Sequence, residues 1–575
     1  MTDDVRVTRI RNSIRNLAVV LAALGALAWT STAPAEDRSQ SRSMVISVNG
    51  IVAAEQPLAA QIGAGILASG GNAVDAAVAT NAAMGVVAPM SNGIGGDLFA
   101  IVYEARTGKL YGLNASGWAP RALTPAFLAS QSISKMPNRG IHSVTVPGAV
   151  AGWDLLLTRF GRKSLAQVLS PSIVLAERGF PVTELVAELW SESEQILNQD
   201  ADAATLYLLN SRAPKVGEVF RNADLAWTYR QIADRGRDAF YKGEIAKRIV
   251  DSSTRRGGTM TLSDLADFNA EWVDPVSTLY RGWTVYELPP NGQGIAALEM
   301  LNIMESFPLA TWGHNSAKAL HALIEAKKLA YADMIRYDAD PRFARIPVKA
   351  MLSKQFAKER AGLIDAARAN CSVVPAAILA GADTIYLSVV DRDGNMVSLI
   401  QSNFASVGFG SGTVAAGAGF ALQNRGGLFS LDASSPNLLA GRKRPVHTII
   451  PAFMEKGDAR IAFGIMGGWN QSQAHAQYVS NIVDFSMNIQ AAMEAARFSK
   501  DSFGGCDVQM EARIPSDVRD ALTALGHQIK VRGVYSPGAT GGGQAVMRDL
   551  ASRVNYGASD PRKDGAAIPE PITAQ

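Results

Sequence analysis

Two strand-like runs around a short polar turn, at 384–390 and 396–402, constrain this chain more than any other stretch. Both runs are rich in β-branched and apolar residues, and the turn between them contains Gly and Asn. This pattern predicts a β-hairpin. If the loop is symmetric about Asp393, Thr384 and Ser402 lie nine positions before and after its centre. They would then face each other on neighbouring strands, with β-carbons about 5 Å apart.

A threonine that opens an inner strand, faces a serine and follows Asp383 suits a nucleophile that is exposed by cutting the chain. We therefore predict self-cleavage between Asp383 and Thr384. A threonine hydroxyl is a poor nucleophile unless a base takes its proton. Cleavage would create an α-amine with a pKa of about 7.7–8.0 in the free state, which can act as that base directly or through water. Consistent with such a mechanism, the sequence has no G-x-S-x-G serine-hydrolase elbow.

The composition is that of a large globular protein. The chain has 575 residues, 47% of them hydrophobic and 19% charged, with a net charge of +3. Residues 1–35 contain four Arg and two Asp, so the rest of the chain carries about +1. There is no electrostatic case for a nucleic-acid or anionic-membrane partner.

The first 35 residues read as a secretory signal peptide. Basic residues precede an apolar run at 17–29, and Ala33-Pro34-Ala35 offers a cleavage site. The run is too short to span a bilayer comfortably. We expect export to the periplasm or beyond; the alternative is an uncleaved membrane anchor. No other segment is apolar over the length of a membrane span.

Neither the cysteines nor the histidines predict chemistry. Cys371 and Cys506 are the two cysteines of the chain, and one disulfide or two free thiols are both open. The histidines at 142, 314, 321, 475 and 527 show no metal-ligand spacing. We predict no metal and no cofactor.

Periodicity predicts helices and strands in alternation over most of the chain. A helix capped by Asn72 and Asp75 runs to Val87, and the segment from Val146 to Tyr337 is mostly helical. Within that segment, Glu325 and Lys328 are assigned to a solvated helix face. The further predicted elements are helices 149–160, 165–178, 224–234, 317–336 and one beginning at 295, a helical stretch at 473–497, and strands 98–103 and 461–466. Together they indicate one layered α/β body rather than separable modules.

A set of glycine-rich motifs resembles gamma-glutamyltranspeptidase and its acylase relatives, in order, over residues 49–565. The motifs are Gly70-Gly71-Asn72-Ala73-Val74-Asp75-Ala76-Ala77, Gly93-Ile94-Gly95-Gly96-Asp97, Thr145-Val146-Pro147-Gly148, the hairpin Thr384–Ser402, Gly467-Gly468 and Gly557-Ala558-Ser559-Asp560-Pro561-Arg562. The resemblance implies an N-terminal-nucleophile hydrolase fold of class α/β (α+β), a four-layer αββα sandwich. It also implies a large chain, 36–383, and a small chain, 384–575, that stay associated after self-cleavage.

The resemblance assigns roles to four residues of the reaction centre. Thr384 would be the nucleophile, and Ser402 would orient it during cleavage and catalysis. The backbone N–H groups of Gly467 and Gly468 would form the oxyanion hole. Losing one such donor typically raises the barrier by about 2.7–4 kcal/mol.

The chain departs from the family at the positions that hold the substrate's zwitterionic group. The family's carboxylate-binding arginine falls on Ser116, its amine-binding acid on Leu428, a preceding glutamine on Arg425, an asparagine on Phe404 beside Asn403, and two serines on His447 and Thr448. Because charge-assisted hydrogen bonds are lost, glutathione recognition should be weak. Arg425 and His447 are candidate anion or amide contacts; alternatively, Arg425 pairs structurally and His447 is a satisfied buried histidine. This pattern resembles the transpeptidase-like branch with cephalosporin acylase and oxamate amidohydrolase.

Three functions follow as hypotheses. The first is an exported, self-processing amidohydrolase that forms an acyl-enzyme on Thr384 with a small amide and transfers the acyl group mainly to water. The second is a genuine gamma-glutamyltransferase or glutathione hydrolase with replacement contacts. The third is a non-catalytic binding protein.

Overall fold

A computed structural model describes residues 40–373, 384–404 and 408–572. The body of the protein, from Arg42 onward, is one compact unit. The predicted signal peptide (1–35) and Asp383 lie outside the described residues. Within the described ranges, no helix is both long enough and apolar enough to cross a membrane.

The strands form two large antiparallel sheets and three small ones in the described ranges. In chain order the strands are β1 Val45–Ser47, β2 Ile51–Ala54, β3 Asp97–Glu104, β4 Lys109–Ala115, β5 Phe180–Pro181, β6 Val219–Phe220, β7 Glu271–Val273, β8 Val276–Tyr280, β9 Trp283–Glu287, β10 Ile385–Val390, β11 Met396–Ser402, β12 Val414–Ala415, β13 Phe420–Ala421, β14 Ala452–Lys456, β15 Ala459–Ile465, β16 Phe498–Ser499, β17 Asp507–Glu511, β18 Gln528–Arg532, β19 Gly543–Asp549, β20 Asn555–Ser559 and β21 Ala566–Pro569. The first sheet has the order β21-β2-β10-β11-β3-β4-β7, and the second has the order β1-β20-β19-β15-β14-β9-β8.

The two sheets pack face to face, and helices cover their outer faces. Along β10, Tyr386 points into the core between the sheets, whereas Leu387 and Val389 point into the core under the outer helices. Successive side chains of a strand point to opposite faces, so a strand buried on both faces reads as a continuous apolar run. Phe453 of β14 and Val546 of β19 meet Tyr386 in the inner core. The architecture is therefore the predicted four-layer αββα sandwich.

The individually predicted helices are confirmed to within a residue or two, the stretch predicted at 473–497 is two separate helices, and the structure adds further helices. The helices are Pro57–Ala68, Ala73–Val87, Pro125–Ser130, Ala149–Phe160, Leu165–Arg178, Glu184–Ser191, Glu194–Leu197, Ala201–Tyr207, Ala223–Arg235, Arg237–Tyr241, Glu244–Arg255, Leu262–Ala266, Gly294–Met304, Leu309–Trp312, Ala317–Tyr337, Val348–Met351, Lys354–Ala361, Gln471–Val483, Ile489–Glu494, Ser516–Ala524 and Pro537–Thr540. The predicted cap at Asn72 is a complete capping box with Asp75.

The region predicted as mostly helical also contains five strands, β5 to β9. Strands β8 and β9 form a hairpin in which Tyr280 pairs with Trp283 across two residues, Arg281 and Gly282. Both turn residues have positive φ, 47° and 83°. Such turns usually begin with Asn, Asp or Gly, so the arginine concealed this one in the sequence.

The assignment of Glu325 and Lys328 to a solvated helix face is wrong. Both are buried, and Lys328 Nζ donates to Glu325 Oε1 at 2.6 Å. Charged side chains are rarely buried unless they are paired, and here the two side chains pair with each other. The open question of the cysteines is also resolved, because Cys371 and Cys506 form a disulfide with their Cα atoms 5.0 Å apart.

Candidate active site

The hairpin has the register predicted from its loop. Ile385 pairs with Gln401, and Val390 pairs with Met396. At the open end of the hairpin, Thr384 Oγ1 donates to Ser402 Oγ over 3.1 Å, and both residues are fully buried. The Phe404 amide also donates to Ser402 Oγ, at 2.7 Å. Ser402 is thus fixed in a position where it holds the threonine hydroxyl in one orientation.

Gly467 and Gly468 follow the end of β15 and turn the chain sharply. Their φ angles are 127° and 58°, a region that strains residues with a β-carbon. In the described part of the chain, no acceptor pairs with the amide of either glycine. Asn470 N donates back to Gly467 O at 3.0 Å and closes the turn. Two adjacent amide N–H groups held in a rigid turn can donate hydrogen bonds to an anion.

Asp97, at the start of β3, is the centre of a buried polar network. Its Oδ1 accepts hydrogen bonds from the Gly117 amide and from Gln423 Nε2, both at 2.8 Å. Its Oδ2 lies 2.9 Å from His447 Nε2. Gly96, directly before Asp97, must be glycine, because a β-carbon at this position would lie 2.3 Å from Ser402 O. The network therefore sits directly behind the hairpin.

His447 is satisfied by protein partners on both ring nitrogens. The Ile449 amide donates to Nδ1 at 3.3 Å, which leaves the proton on Nε2 to bond with Asp97. Burial, together with the charge of Arg425, lowers the pKa of His447 to about 4 against the opposing effect of Asp97. The imidazole is therefore neutral near neutral pH. Of the two interpretations of His447, these contacts fit the satisfied buried histidine.

Arg425 is a buried cation with incomplete pairing. Its Nη1 donates to Thr448 Oγ1 at 2.6 Å, and its guanidinium carbon lies 4.2 Å from the centre of the Phe404 ring. Within the described residues, Nε and Nη2 have no hydrogen-bond partner. Burial lowers the pKa of Arg425 to about 9, and Asp97 partly opposes this shift. Two unpaired donors on a buried cation can receive a carboxylate or a carbonyl oxygen.

Ser116 and Asn403 are the other positions at which the sequence suggests substrate contacts. Ser116 Oγ donates to Asn114 Oδ1 at 2.7 Å, so its hydroxyl is already engaged. Asn403 Nδ2 donates to Asn92 O at 2.9 Å, whereas its Oδ1 has no partner among the described residues. Arg121 lies close to Ser116 in the sequence, but its side chain is 69% exposed and its Nη2 lies 3.9 Å from Asp267 Oδ2.

A cavity of about 670 Å³ lies beside the Gly467–Gly468 turn. Trp469, which follows that turn, and Val446, which precedes His447, are part of its lining. Leu428 and Asp338 line it as well. The indole N–H of Trp469 and both carboxylate oxygens of Asp338 lack a hydrogen-bond partner in the part of the chain that the structure describes. The lining is therefore mixed: Leu428 is apolar, and Asp338 contributes a carboxyl group to the same cavity.

The structure brings together two histidines whose spacing predicts no metal site. Ligand atoms of His321, Glu325 and His527 lie within 4.8 Å of one another, close enough to hold a metal ion. However, Glu325 already pairs with Lys328, and His321 Nδ1 lies 2.8 Å from His527 Nε2. A bound metal would have to displace both contacts.

Sequence reasoning missed Asp97 and Trp469 as site residues. Asp97 belongs to the motif Gly93-Ile94-Gly95-Gly96-Asp97. The neighbouring sequence does not show that its carboxylate contacts residues about 325–350 positions later in the chain. The aromatic partner of Arg425 was also missed. Phe404 takes the place of the family's asparagine, and the sequence does not show that its ring lies against Arg425.

Comparison with known proteins identifies the family of the chain. Residues 59–570 match the family model described as gamma-glutamyltranspeptidase. The chain is 37% identical to the glutathione hydrolase-like YwrD proenzyme of Bacillus subtilis, covering 91% of this chain and 99% of that protein. It is 33% identical to the oxamate amidohydrolase proenzyme of Klebsiella pneumoniae, covering 91% and 98%.

A solved structure gives the same result for the fold. The cephalosporin acylase from Bacillus halodurans superposes with a TM-score of 0.86 at 42% identity, covering 92% of this chain and 97% of that one. The chain therefore belongs to the gamma-glutamyltranspeptidase family of hydrolases and transferases, in the branch that resembles cephalosporin acylase and oxamate amidohydrolase, and has the N-terminal-nucleophile hydrolase fold.

Proposed function

We propose that this protein is an exported, self-processing amidohydrolase with Thr384 as its nucleophile. The observation that carries the proposal is the 3.1 Å contact from Thr384 Oγ1 to Ser402 Oγ at the open end of the central hairpin. The relatives described as proenzymes support maturation by cleavage.

Processing would begin when Thr384 Oγ adds to the carbonyl of Asp383. The peptide C–N bond breaks, and an ester forms between Asp383 and the threonine oxygen. Water then hydrolyses the ester, leaving a carboxylate on Asp383 and a free α-amine on Thr384. Ser402 is placed to orient the hydroxyl throughout.

Catalysis would use the same oxygen on an external amide. The α-amine takes the hydroxyl proton as Oγ attacks, and the amides of Gly467 and Gly468 receive the negative charge of the tetrahedral intermediate. The proton passes to the leaving amine as the C–N bond breaks. Water then attacks the ester and releases the acid.

The substrate we infer is a small amide whose acyl part carries a carboxylate or a second carbonyl. Nε and Nη2 of Arg425, which have no partner in the part of the chain that the structure describes, favour such a group. In the nearby cavity, Leu428 takes the position of the family's amine-binding acid, so an acid at that position is missing, although Asp338 lines the same cavity. Together these features favour hydrolysis of amides other than glutathione.

The proposal is tested by mass spectrometry and N-terminal sequencing of purified protein. We expect two fragments, one beginning Thr-Ile-Tyr-Leu, and a single intact chain for Thr384→Ala. An intact chain with amidase activity would refute the mechanism. A gamma-glutamyl-4-nitroanilide assay with glycylglycine as acceptor tests the transferase alternative. Processed protein without turnover on a broad amide panel would favour the binding-protein alternative.

A further inference from the structure

The disulfide Cys371–Cys506 joins residues on opposite sides of Thr384. Cys371 belongs to the proposed large chain, 36–383, and Cys506 belongs to the proposed small chain, 384–575. We infer that this bond is a covalent link between the two mature chains. The inference rests on the proposed self-cleavage but concerns a separate property, namely what holds the products together.

The large-chain side of the bond is held by contacts to both chains. The Ala369 amide donates to Leu525 O of the small chain at 2.7 Å. Asn370 O accepts from Lys328 Nζ at 3.0 Å, and Asn370 N donates to Glu325 Oε2 at 3.3 Å. The buried Lys328–Glu325 pair thus grips the residue directly before Cys371. The backbone beside Cys371 is therefore held in place by contacts other than the disulfide itself.

The small-chain side of the bond is an interior position. Cys506 is 2% exposed and directly precedes β17. Its carbonyl accepts from Gln528 N at 2.7 Å, and β17 pairs with β16 and β18, all within the small chain. A link at Cys506 is therefore anchored in a folded sheet rather than in a loose terminus.

Cleavage changes what this bond does. In the intact chain it closes a loop across a sequence separation of 135 residues. After cleavage between Asp383 and Thr384, it ties two separate polypeptides together. Unfolding of an unlinked pair releases two chains, so its midpoint depends on protein concentration, whereas a linked pair unfolds and refolds as one molecule.

The covalent link also bears on where the protein works. Disulfides persist in oxidising compartments such as the periplasm and are rare in the reducing cytosol. A stable bond between the chains is consistent with the proposed export. Cys371 is exposed, so a soluble reductant can reach the bond in the folded protein.

Denaturing electrophoresis with and without reductant tests the inference. We expect processed wild-type protein to run as one species without reductant and as two with it. Cys371→Ser should give two species in both lanes, and Thr384→Ala one species in both. Two species from wild type without reductant would overturn the link and leave the cleavage intact. One species from wild type with reductant would instead overturn the cleavage.

A thermal measurement covers the case in which Cys371→Ser fails to fold. Processed wild type is reduced under native conditions with a water-soluble phosphine and alkylated, and is compared with untreated protein. We expect the Tm of the treated protein to fall over a dilution of about a hundredfold, while that of the untreated protein stays constant. A constant Tm after confirmed alkylation would contradict the proposed role of the bond.

Discussion

The carboxylate Oδ2 of Asp97 lies 2.9 Å from Nε2 of His447, and this contact joins segments on opposite sides of the proposed cleavage site. Asp97 also accepts from Gly117 N and Gln423 Nε2. The three donors come from three separate segments, so one buried carboxylate organises the wall behind the hairpin.

Asp97→Asn should destabilise the protein strongly. An amide NH2 would face a donor where a carboxylate oxygen now accepts, and Arg425 would lose a nearby negative charge. We expect the free energy of unfolding to fall by about 3 kcal/mol, with slower self-cleavage. The matched control is Asp393→Asn, because the Asp393–Arg162 pair is half exposed and should contribute less than about 1 kcal/mol. Equal urea midpoints for the two variants would contradict the role of Asp97.

Gly467→Ala should impair both processing and turnover. Its φ of 127° is unfavourable for alanine, so the turn must shift and carry the two amides away from the intermediate. We expect rates to fall about 10²–10³-fold, as for loss of an oxyanion donor. Gly65→Ala lies in helix Pro57–Ala68 with open space around its β-carbon and serves as the control. Rates in Gly467→Ala equal to those of this control would exclude the oxyanion assignment.

Arg425→Gln should change substrate preference rather than the chemistry. We expect kcat/KM for glutaryl-4-nitroanilide to drop about 10–100-fold, the value of a hydrogen bond to a charged group. Butyryl-4-nitroanilide, which lacks the carboxylate, should lose little and provides the control within the same variant. A parallel loss on both substrates would show that Arg425 is purely structural.

The pKa of His447, lowered to about 4 by burial, predicts acid sensitivity. Between pH about 6.5 and 4 the unfolded chain binds a proton that the folded protein does not, so stability decreases as pH falls through this window. The contribution is at most about 3 kcal/mol. Denaturation by urea at several pH values should give a shallower dependence for His447→Gln. An unchanged slope would show that other groups carry the acid sensitivity.

The raised pKa of Glu55 predicts the opposite dependence, a stability that decreases as pH rises. Burial raises its pKa to about 7 against the opposing effect of Lys563, and it accepts the Tyr386 amide at 2.9 Å. From pH 4.5 to about 7 the folded protein holds a proton that the unfolded chain has lost. The contribution of protonated Glu55 to the free energy of unfolding is therefore present at low pH and is lost as pH rises through 7. Glu55→Gln keeps the acceptor without the charge, so its stability relative to wild type should rise with pH. A constant difference would refute this assignment.

Local patterns predicted much of the fold because they act over a few residues. The symmetry of a five-residue loop sets the register of Thr384 against Ser402, and a helical period sets elements such as Ala149–Phe160. The hairpin at Arg281-Gly282 escaped prediction because its turn uses an arginine at positive φ. The buried Lys328–Glu325 pair escaped because a charge pattern does not show what packs over it.

By itself, the sequence determined the hairpin and the order of the family motifs. Only the tertiary structure decided that both ring nitrogens of His447 are bonded by Asp97 and Ile449, and that the cysteines form a disulfide. It also decided that two nitrogens of Arg425 have no partner among the described residues. The physical reason is distance along the chain. Strand and helix periodicities are encoded by neighbours, whereas the pairing of a buried polar group depends on which remote segment the folded layers bring against it.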